Sequence, residues 1–389
     1  MVSVTEALAL VRGSRWDGGH EQCLLSSAVE RVLSEDVRST FLVPRFANSA
    51  MDGFALGSLE GPWSIVGGVQ AGDSGNASLC PGQAAKITTG ARLPDGSVAV
   101  LPREDAELSS LSNELHSPGR VSEGAHIRRE GEELEVGDLM IPAGTQLDPI
   151  HLSVLASAGL PQVNVRRMPT VTLLATGNEL VAPGTTLSGS AVYESNSWGL
   201  RADLSALGCA VGSETVRDDL EGTKQALQRA VDSSDLVLTI GGVSVGEFDY
   251  VKAAVESLAG EKHFEKVSMK PGKPITFATF PNGTRWFGLP GNPMSTWVTY
   301  LLFVREWLGL PLRREVGILA NDYSRSAGRD EFVPMLWNAP GKVNLLTTVG
   351  SHATAALVSA HGLVQIPGEC EHLPAGSQVQ VLRLPGGSR

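Results

Sequence analysis

The strongest constraint in this 389-residue chain is a change of period. From Pro169 to about Leu310, short apolar runs alternate with amphipathic stretches. Residues 170–175, 209–216, 236–240 and 264–269 read as strands, and 198–207, 221–231, 250–258 and 295–308 read as helices. Strands separated by helices of this length are joined by crossovers, so the pattern predicts a doubly wound α/β domain over 169–311. In such sheets ligands bind beyond the carboxyl ends of the strands. The loops at 176–179, 217–219, 241–249 and 270–274 are therefore expected to share one rim.

The flanks read differently. Between residues 48 and 134, runs such as Ala84-Ala85-Lys86-Ile87-Thr88 are separated by Gly, Pro, Ser and Asp without a helical period, which predicts a β-rich linker domain. Residues 1–47 and 135–168 are expected to form a small mixed N-terminal domain, discontinuous in sequence. Its helices are signalled by a capping box, Ser3 to Glu6, and by Asp148-Pro149 followed by Gly159 as a stop, and the second is expected to pack beside the first. Short strands return over 312–389 and predict a C-terminal β domain. The expected fold class is thus multidomain, α/β and β.

Several classes of function are excluded. A net charge of −11 is the wrong sign for holding nucleic acid through a global field, so an anionic ligand needs a local site. The longest apolar stretch, 297–308, contains Arg305 and Glu306 and is short of a bilayer span, and no signal peptide is read at the N-terminus. The four cysteines make no C-x-x-C pair, which favours a reducing, cytoplasmic setting. No H-x-x-x-H pair and no G-x-S-x-G is present.

Within the rim, Gly241 and Gly242 could turn successive N–H groups toward a phosphate, or simply make a tight turn. Pro290-Gly291-Asn292 before the last long helix repeats the same logic. Lys266, Lys270 and Lys273 form a cationic cluster whose backbone is stiffened by Pro271 and Pro274. Asp218, Asp219 and Asp249 sit where helices begin, and are either caps or carboxylates. Carboxylates facing a phosphate need a divalent cation between them, and hard oxygen ligands select Mg²⁺. Asp52, followed by Gly53, lies in a polar loop; a turn is the alternative.

Eight motifs in order carry a resemblance: Asn48-Ser49-Ala50-Met51-Asp52-Gly53, Thr88-Thr89-Gly90-Ala91, Ile127-Arg128-Arg129-Glu130-Gly131-Glu132, Pro142-Ala143-Gly144-Thr145, Thr176-Gly177-Asn178-Glu179-Leu180, the 241–250 loop, Lys270-Pro271-Gly272-Lys273-Pro274 and Leu289-Pro290-Gly291-Asn292-Pro293. Together they resemble the molybdopterin molybdenumtransferases, which insert molybdate during molybdenum cofactor synthesis and are related to the E domain of gephyrin. The resemblance implies a cytoplasmic homodimer with its active site near a subunit boundary, and an α/β domain of the molybdopterin-binding type. It also implies the reaction: adenylylated molybdopterin and molybdate give molybdenum cofactor and AMP, assisted by Mg²⁺. Contact with the molybdopterin adenylyltransferase is a further implied partnership. Catalytic positions carried over are Asp52, Thr89, Glu179, Asp218, Asp249, Lys266 and Lys270, with Asp218 and Asp249 on the metal. Ligand-binding positions are Gly241, Gly242, Ser244, Gly246, Lys273, Pro290, Gly291 and Asn292.

Two positions depart from the family pattern. Asn178 stands where many relatives have Asp, and Ala355-Ala356 follow Gly350-Ser351-His352 where the family often has a serine pair. The alternatives are a molybdopterin adenylyltransferase, or a catalytically weakened paralogue that acts as a binding or scaffold protein or handles tungstate.

Overall fold

The computed structural model describes residues 1–73, 77–109, 113–242, 250–347 and 355–385. They form two compact units, Gln22–Val165 and a second made of Met1–Glu21 with Arg166–Arg389.

Helix α1, Val4–Arg12, opens on the expected capping box: Ser3 Oγ accepts from the Glu6 N–H at 3.1 Å and the Glu6 carboxylate accepts from the Ser3 N–H at 2.8 Å. In Gln22–Val165, strands β1 (Gly53–Leu56), β2 (Trp63–Val69), β3 (Gln83–Ile87) and β4 (Ala99–Pro102) lie in the order β4-β1-β3-β2, and two short strands complete a six-stranded sheet. The β1–β3 and β1–β4 pairs are antiparallel, whereas β2 and β3 run parallel. Helix α2, Pro149–Ser157, begins where Asp148 accepts from the N–H groups of Ile150 and His151, and buries Leu155 against Leu33, Ile141 and Leu147.

The second unit carries the α/β layer. Its elements are β5 (Thr170–Thr176), α3 (Asn196–Ala206), β6 (Ala210–Val216), α4 (Leu220–Ser233), β7 (Leu236–Ile240) and α5 (Tyr250–Ser257). Then follow β8 (Glu261–Phe264), β9 (Met269–Lys270), β10 (Thr276–Thr279), β11 (Arg285–Leu289), α6 (Pro293–Thr299) and α7 (Arg305–Trp307), with a π-helical turn joining α6 to α7. Strand order is β6-β5-β7-β11-β10-β8. The first four are mutually parallel; β10 pairs antiparallel with β11, and β8 antiparallel with β10. Helices α4 and α5 cover one face through Ala226, Leu227, Val251 and Val255, while α3 and α6 lie on the other, so the layer is doubly wound. Every residue of β7 is buried, as a central parallel strand requires.

Two expectations are corrected here. Residues 264–269 do not form the fourth parallel strand: β8 ends at Phe264, and the parallel position belongs to β11. The alternating apolar residues of that stretch instead lead into β9, which leaves the sheet. Helix α1 belongs to the unit of Met1–Glu21 with Arg166–Arg389, and α2 to Gln22–Val165. The buried face of α1, Val4, Ala7, Leu8 and Val11, packs near α7, and Arg12 and Arg15 both reach the buried Glu306 carboxylate. Burial works against that charge, yet the two guanidinium groups hold Glu306 below the usual carboxylate range.

The chain closes with β12 (Arg314–Leu319), β13 (Asp330–Ala339), β14 (Lys342–Leu345), α8 (Ala355–Ser359), β15 (Gly362–Ile366) and β16 (Gln378–Arg383). The long β13 pairs with both β14 and β15, which closes the strands into a small barrel around Met335, Val343, Val364 and Val381. Strand β9 adds to its edge in parallel, with Met269 opposite Asp330 and Lys270 opposite Glu331.

Candidate functional site

Because β5 is flanked by β6 on one side and β7 on the other, the connections diverge at the β5–β7 crevice, the place where such sheets leave room for a ligand. A cavity of about 610 Å³ lies there. Its lining comes from the ends of all four parallel strands: Thr176, the last residue of β5, with Gly177, Asp218 after β6, Gly241 and Gly242 after β7, and Pro290 to Asn292 after β11. Glu179 and the 192–196 segment before α3 complete one wall, and Pro274 reaches it because antiparallel β10 starts at the same rim.

Backbone geometry builds this cavity. Gly242 has a φ of +63°, and a Cβ there would lie 2.5 Å from Val251 Cγ2. The Gly241 N–H donates to the Leu289 carbonyl at 3.0 Å, so the expected pair of N–H groups converging on a phosphate is not what the first glycine offers. A Cβ there would lie 3.0 Å from the Thr176 carbonyl oxygen and from Thr176 Oγ1, so its role is close approach to the end of β5. Asn196 Nδ2 donates to the Gly291 carbonyl at 2.9 Å and ties the two loop tops together.

Asp218 and Asp219 separate cleanly. Asp219 caps α4 by accepting from the Gly222 N–H at 2.6 Å. Asp218 instead faces the cavity and accepts from the Asn178 N–H at 3.1 Å, while its own N–H donates to Asn178 Oδ1 at 3.2 Å. Asn178 is thus the partner that orients Asp218. Glu179, Glu194 and Asp218 line the cavity, and no Lys or Arg does so among the described residues. Ser244, Gly246 and Asp249 lie outside the described residues, as do Gly350, Ser351 and His352.

The lysines occupy a neighbouring cavity of about 490 Å³. Lys270, Lys273 and Arg329 supply its cations, with Ser295, Tyr323 and Glu331 as polar neighbours, and Pro274 lines both cavities. Lys266 lines neither cavity. Its backbone is tied to Val2 and its charge acts on Glu265. Arg329, which sequence reasoning missed, joins Lys270 and Lys273 in the lining of this cavity; the signal was the charged run Arg329-Asp330-Glu331 entering an apolar strand. Among the described residues no group of three or more His, Cys, Asp or Glu is placed to hold a metal ion by itself.

The other unit has its own polar centre. Asp52 Oδ1 accepts from the Thr89 N–H at 2.7 Å and from Thr89 Oγ1 at 2.8 Å. These bonds, helped by Arg103, hold its carboxyl below the usual range. Three of the motifs assemble here: Ser49 pairs with Ile127, and its carbonyl accepts from the Gly90 N–H. Gly53 is not a turn residue; it starts β1, where a Cβ would sit 2.0 Å from the Leu101 carbonyl oxygen. Asp52, Lys86, Thr88 and Arg103 line a cavity of about 920 Å³.

Comparison with known proteins agrees along the chain. Residues 2–159 match the MoeA N-terminal region (domain I and II), 172–309 a probable molybdopterin binding domain, and 316–384 the MoeA C-terminal region (domain IV). A curated relative named molybdopterin molybdenumtransferase, from Haemophilus influenzae, is 33% identical over 92% of this chain and 92% of its own length. Another of that name from Nostoc is 32% identical over 93% of this chain and 88% of its own. A crystal structure of a molybdopterin biosynthesis moeA protein from Pyrococcus horikoshii superposes with a TM-score of 0.81 at 25% identity, covering 99% of this chain and 100% of that one.

Proposed function

We propose that this chain, which belongs to the molybdopterin molybdenumtransferase family and is a transferase of molybdenum cofactor biosynthesis, divides its reaction between the two adjoining cavities. Adenylylated molybdopterin occupies the acidic cavity and molybdate the cationic one, and the products are molybdenum cofactor and AMP. The observation that carries this reading is Pro274: one residue walls both cavities, so ligands held in each are close enough to react.

The cationic cavity suits a tetrahedral dianion. Lys270, Lys273 and Arg329 bring positive charge and Ser295 a hydroxyl to a space much larger than the anion, leaving room for the sulfurs that receive the metal. The acidic cavity suits a phosphorylated ligand only with a counter-cation. Mg²⁺ fits that donor set, since it keeps waters and shares phosphate oxygens rather than needing an all-protein cage. Asp218, with Asp249, would hold it, and it would neutralise charge on the departing phosphate. Glu179 and the loop tops Gly242, Gly291 and Asn292, together with the start of α6, orient the nucleotide.

Asp52 and Thr89, in Gln22–Val165, are further proposed catalytic residues. Oδ1 takes both Thr89 donors, and Oδ2 is the atom offered to substrate. A carboxyl held low serves as a hydrogen-bond acceptor that orients the attacking group rather than as a strong base. We also propose that the two units subdivide near residues 48, 134, 169 and 311. The protein works as a homodimer in the cytoplasm; exposed Leu187, Val192, Tyr193 and Trp198 support a partner-covered surface, and four cysteines not joined in disulfides a reducing compartment.

The test is single-turnover release of AMP from adenylylated molybdopterin by purified protein. Release that requires both molybdate and Mg²⁺ is expected. ATP-dependent adenylylation of molybdopterin, or binding without release, overturns the reading in favour of an adenylyltransferase or a scaffold.

A further inference from the structure

Among the described residues that line the cationic cavity, Glu331 is the single acid. Three donors converge on it: Lys270 Nζ at 2.8 Å, the Tyr323 hydroxyl at 2.9 Å and Arg325 Nη1 at 3.4 Å. The backbone imposes the first pair, because parallel β9 and β13 place Lys270 directly opposite Glu331.

The members of this group differ in freedom. The Lys270 side chain is 63% exposed, whereas that of Glu331 is 12% exposed. Behind Glu331, Arg325 is itself fixed, donating through Nη2 to the carbonyls of Arg329 at 2.8 Å and Gly368 at 3.0 Å. Tyr323 is half-buried beside the same carboxylate, and its hydroxyl is pushed up to about 12, so it remains a donor. Glu331 is therefore a stiff post to which a long, flexible cation is tied. A lysine without that tie would spread over many rotamers and lose entropy on meeting an anion. The same carboxylate repels a dianion in the cavity. Its two effects on anion binding oppose each other.

We propose that Glu331 is a positioning residue that sets the cavity's affinity for its tetrahedral oxyanion, holding Lys270 in place while its own charge opposes the anion. The inference rests on the reading of this cavity given above. It has a consequence for turnover: an oxyanion held too tightly in the ground state would be slow to pass on, and a built-in opposing charge limits that.

The test is calorimetric titration of sodium molybdate into full-length protein at low ionic strength. Glu331→Gln keeps the acceptor for Lys270 and removes the charge, and is expected to bind molybdate about fivefold more tightly, a gain that shrinks in about 1 M salt. Glu331→Ala frees Lys270 and is expected to bind about fivefold more weakly. Opposite signs are the signature, because a merely structural role would weaken both. Thermal unfolding checks that each variant is folded. Should the alanine variant not fold, Glu331→Asp, which retains the charge but falls short of Lys270, takes its place with the same expected direction. Equal loss in both variants, or no change in Glu331→Gln, overturns the inference while leaving the cavity assignment intact. Absence of molybdate binding by the wild type, or binding that Arg329→Ala does not weaken, overturns the assignment and the inference with it.

Discussion

The two adjoining cavities are built by opposite means. One is made of main chain: glycines and prolines at the ends of four parallel strands, with positions dictated by the sheet. The other is made of long charged side chains on the edge of a barrel, with positions dictated by one another. The difference teaches where each is vulnerable. Trimming a side chain should destroy the function of the second without unfolding it, and adding a methyl group at a crowded glycine should destabilise the first.

The sharpest way to test that contrast is Arg329→Ala. It is expected to lower molybdate-dependent turnover by roughly 10²–10³-fold, in the range seen when one preorganised charge donor is removed, while nucleotide binding is retained. Comparable loss of nucleotide binding would mean that the two cavities are not separable. Asp218→Asn probes the acidic side and is expected to raise the Mg²⁺ concentration needed for half-maximal AMP release about tenfold. An unchanged Mg²⁺ requirement would remove Asp218 from the metal.

Gly242→Ala addresses the backbone-built cavity directly. Its left-handed φ and the 2.5 Å approach to Val251 should cost about 1–3 kcal/mol of stability by denaturant unfolding. Gly291→Ala is the control, since a Cβ there meets only an ordinary 3.5 Å contact and should change stability by less than ~0.5 kcal/mol. Equal effects would sink the backbone argument. The smallest expected effect concerns pH. A carboxyl held low in the folded protein loses its contribution only as pH falls through that low value, so Asp52 should set no limb of the pH–rate profile near neutrality. Thr89→Ala removes the hydroxyl bond but keeps the larger cause, the Thr89 backbone N–H, so the acid limb should move upward only slightly.

Much of the α/β layer was legible because period and burial coincide: β5, β7 and their flanking helices are local patterns, and β7 is apolar throughout. The rim loops were legible for the same reason, since they follow those strands. The barrel-edge chemistry was not. Lys270 meets Glu331 only because a two-residue strand pairs with one far along the chain, and no local window contains that register. Arg329 and Glu331 drew no reading from the sequence, because nothing in their local pattern beyond a charged run marks them as part of a site. Asp52 and Thr89, by contrast, were both picked out through the family motifs, although the bond that joins them spans two loops.

The Arg167 N–H donates to the Gly19 carbonyl at 3.0 Å, so the chain leaves the α/β unit and re-enters it at neighbouring points. Topologically, Gln22–Val165 is a cassette spliced into a continuous host. A short graft joining residue 21 to 166 would restore the host's connectivity without stretching it, which makes this junction a natural seam for exchanging one inserted module for another.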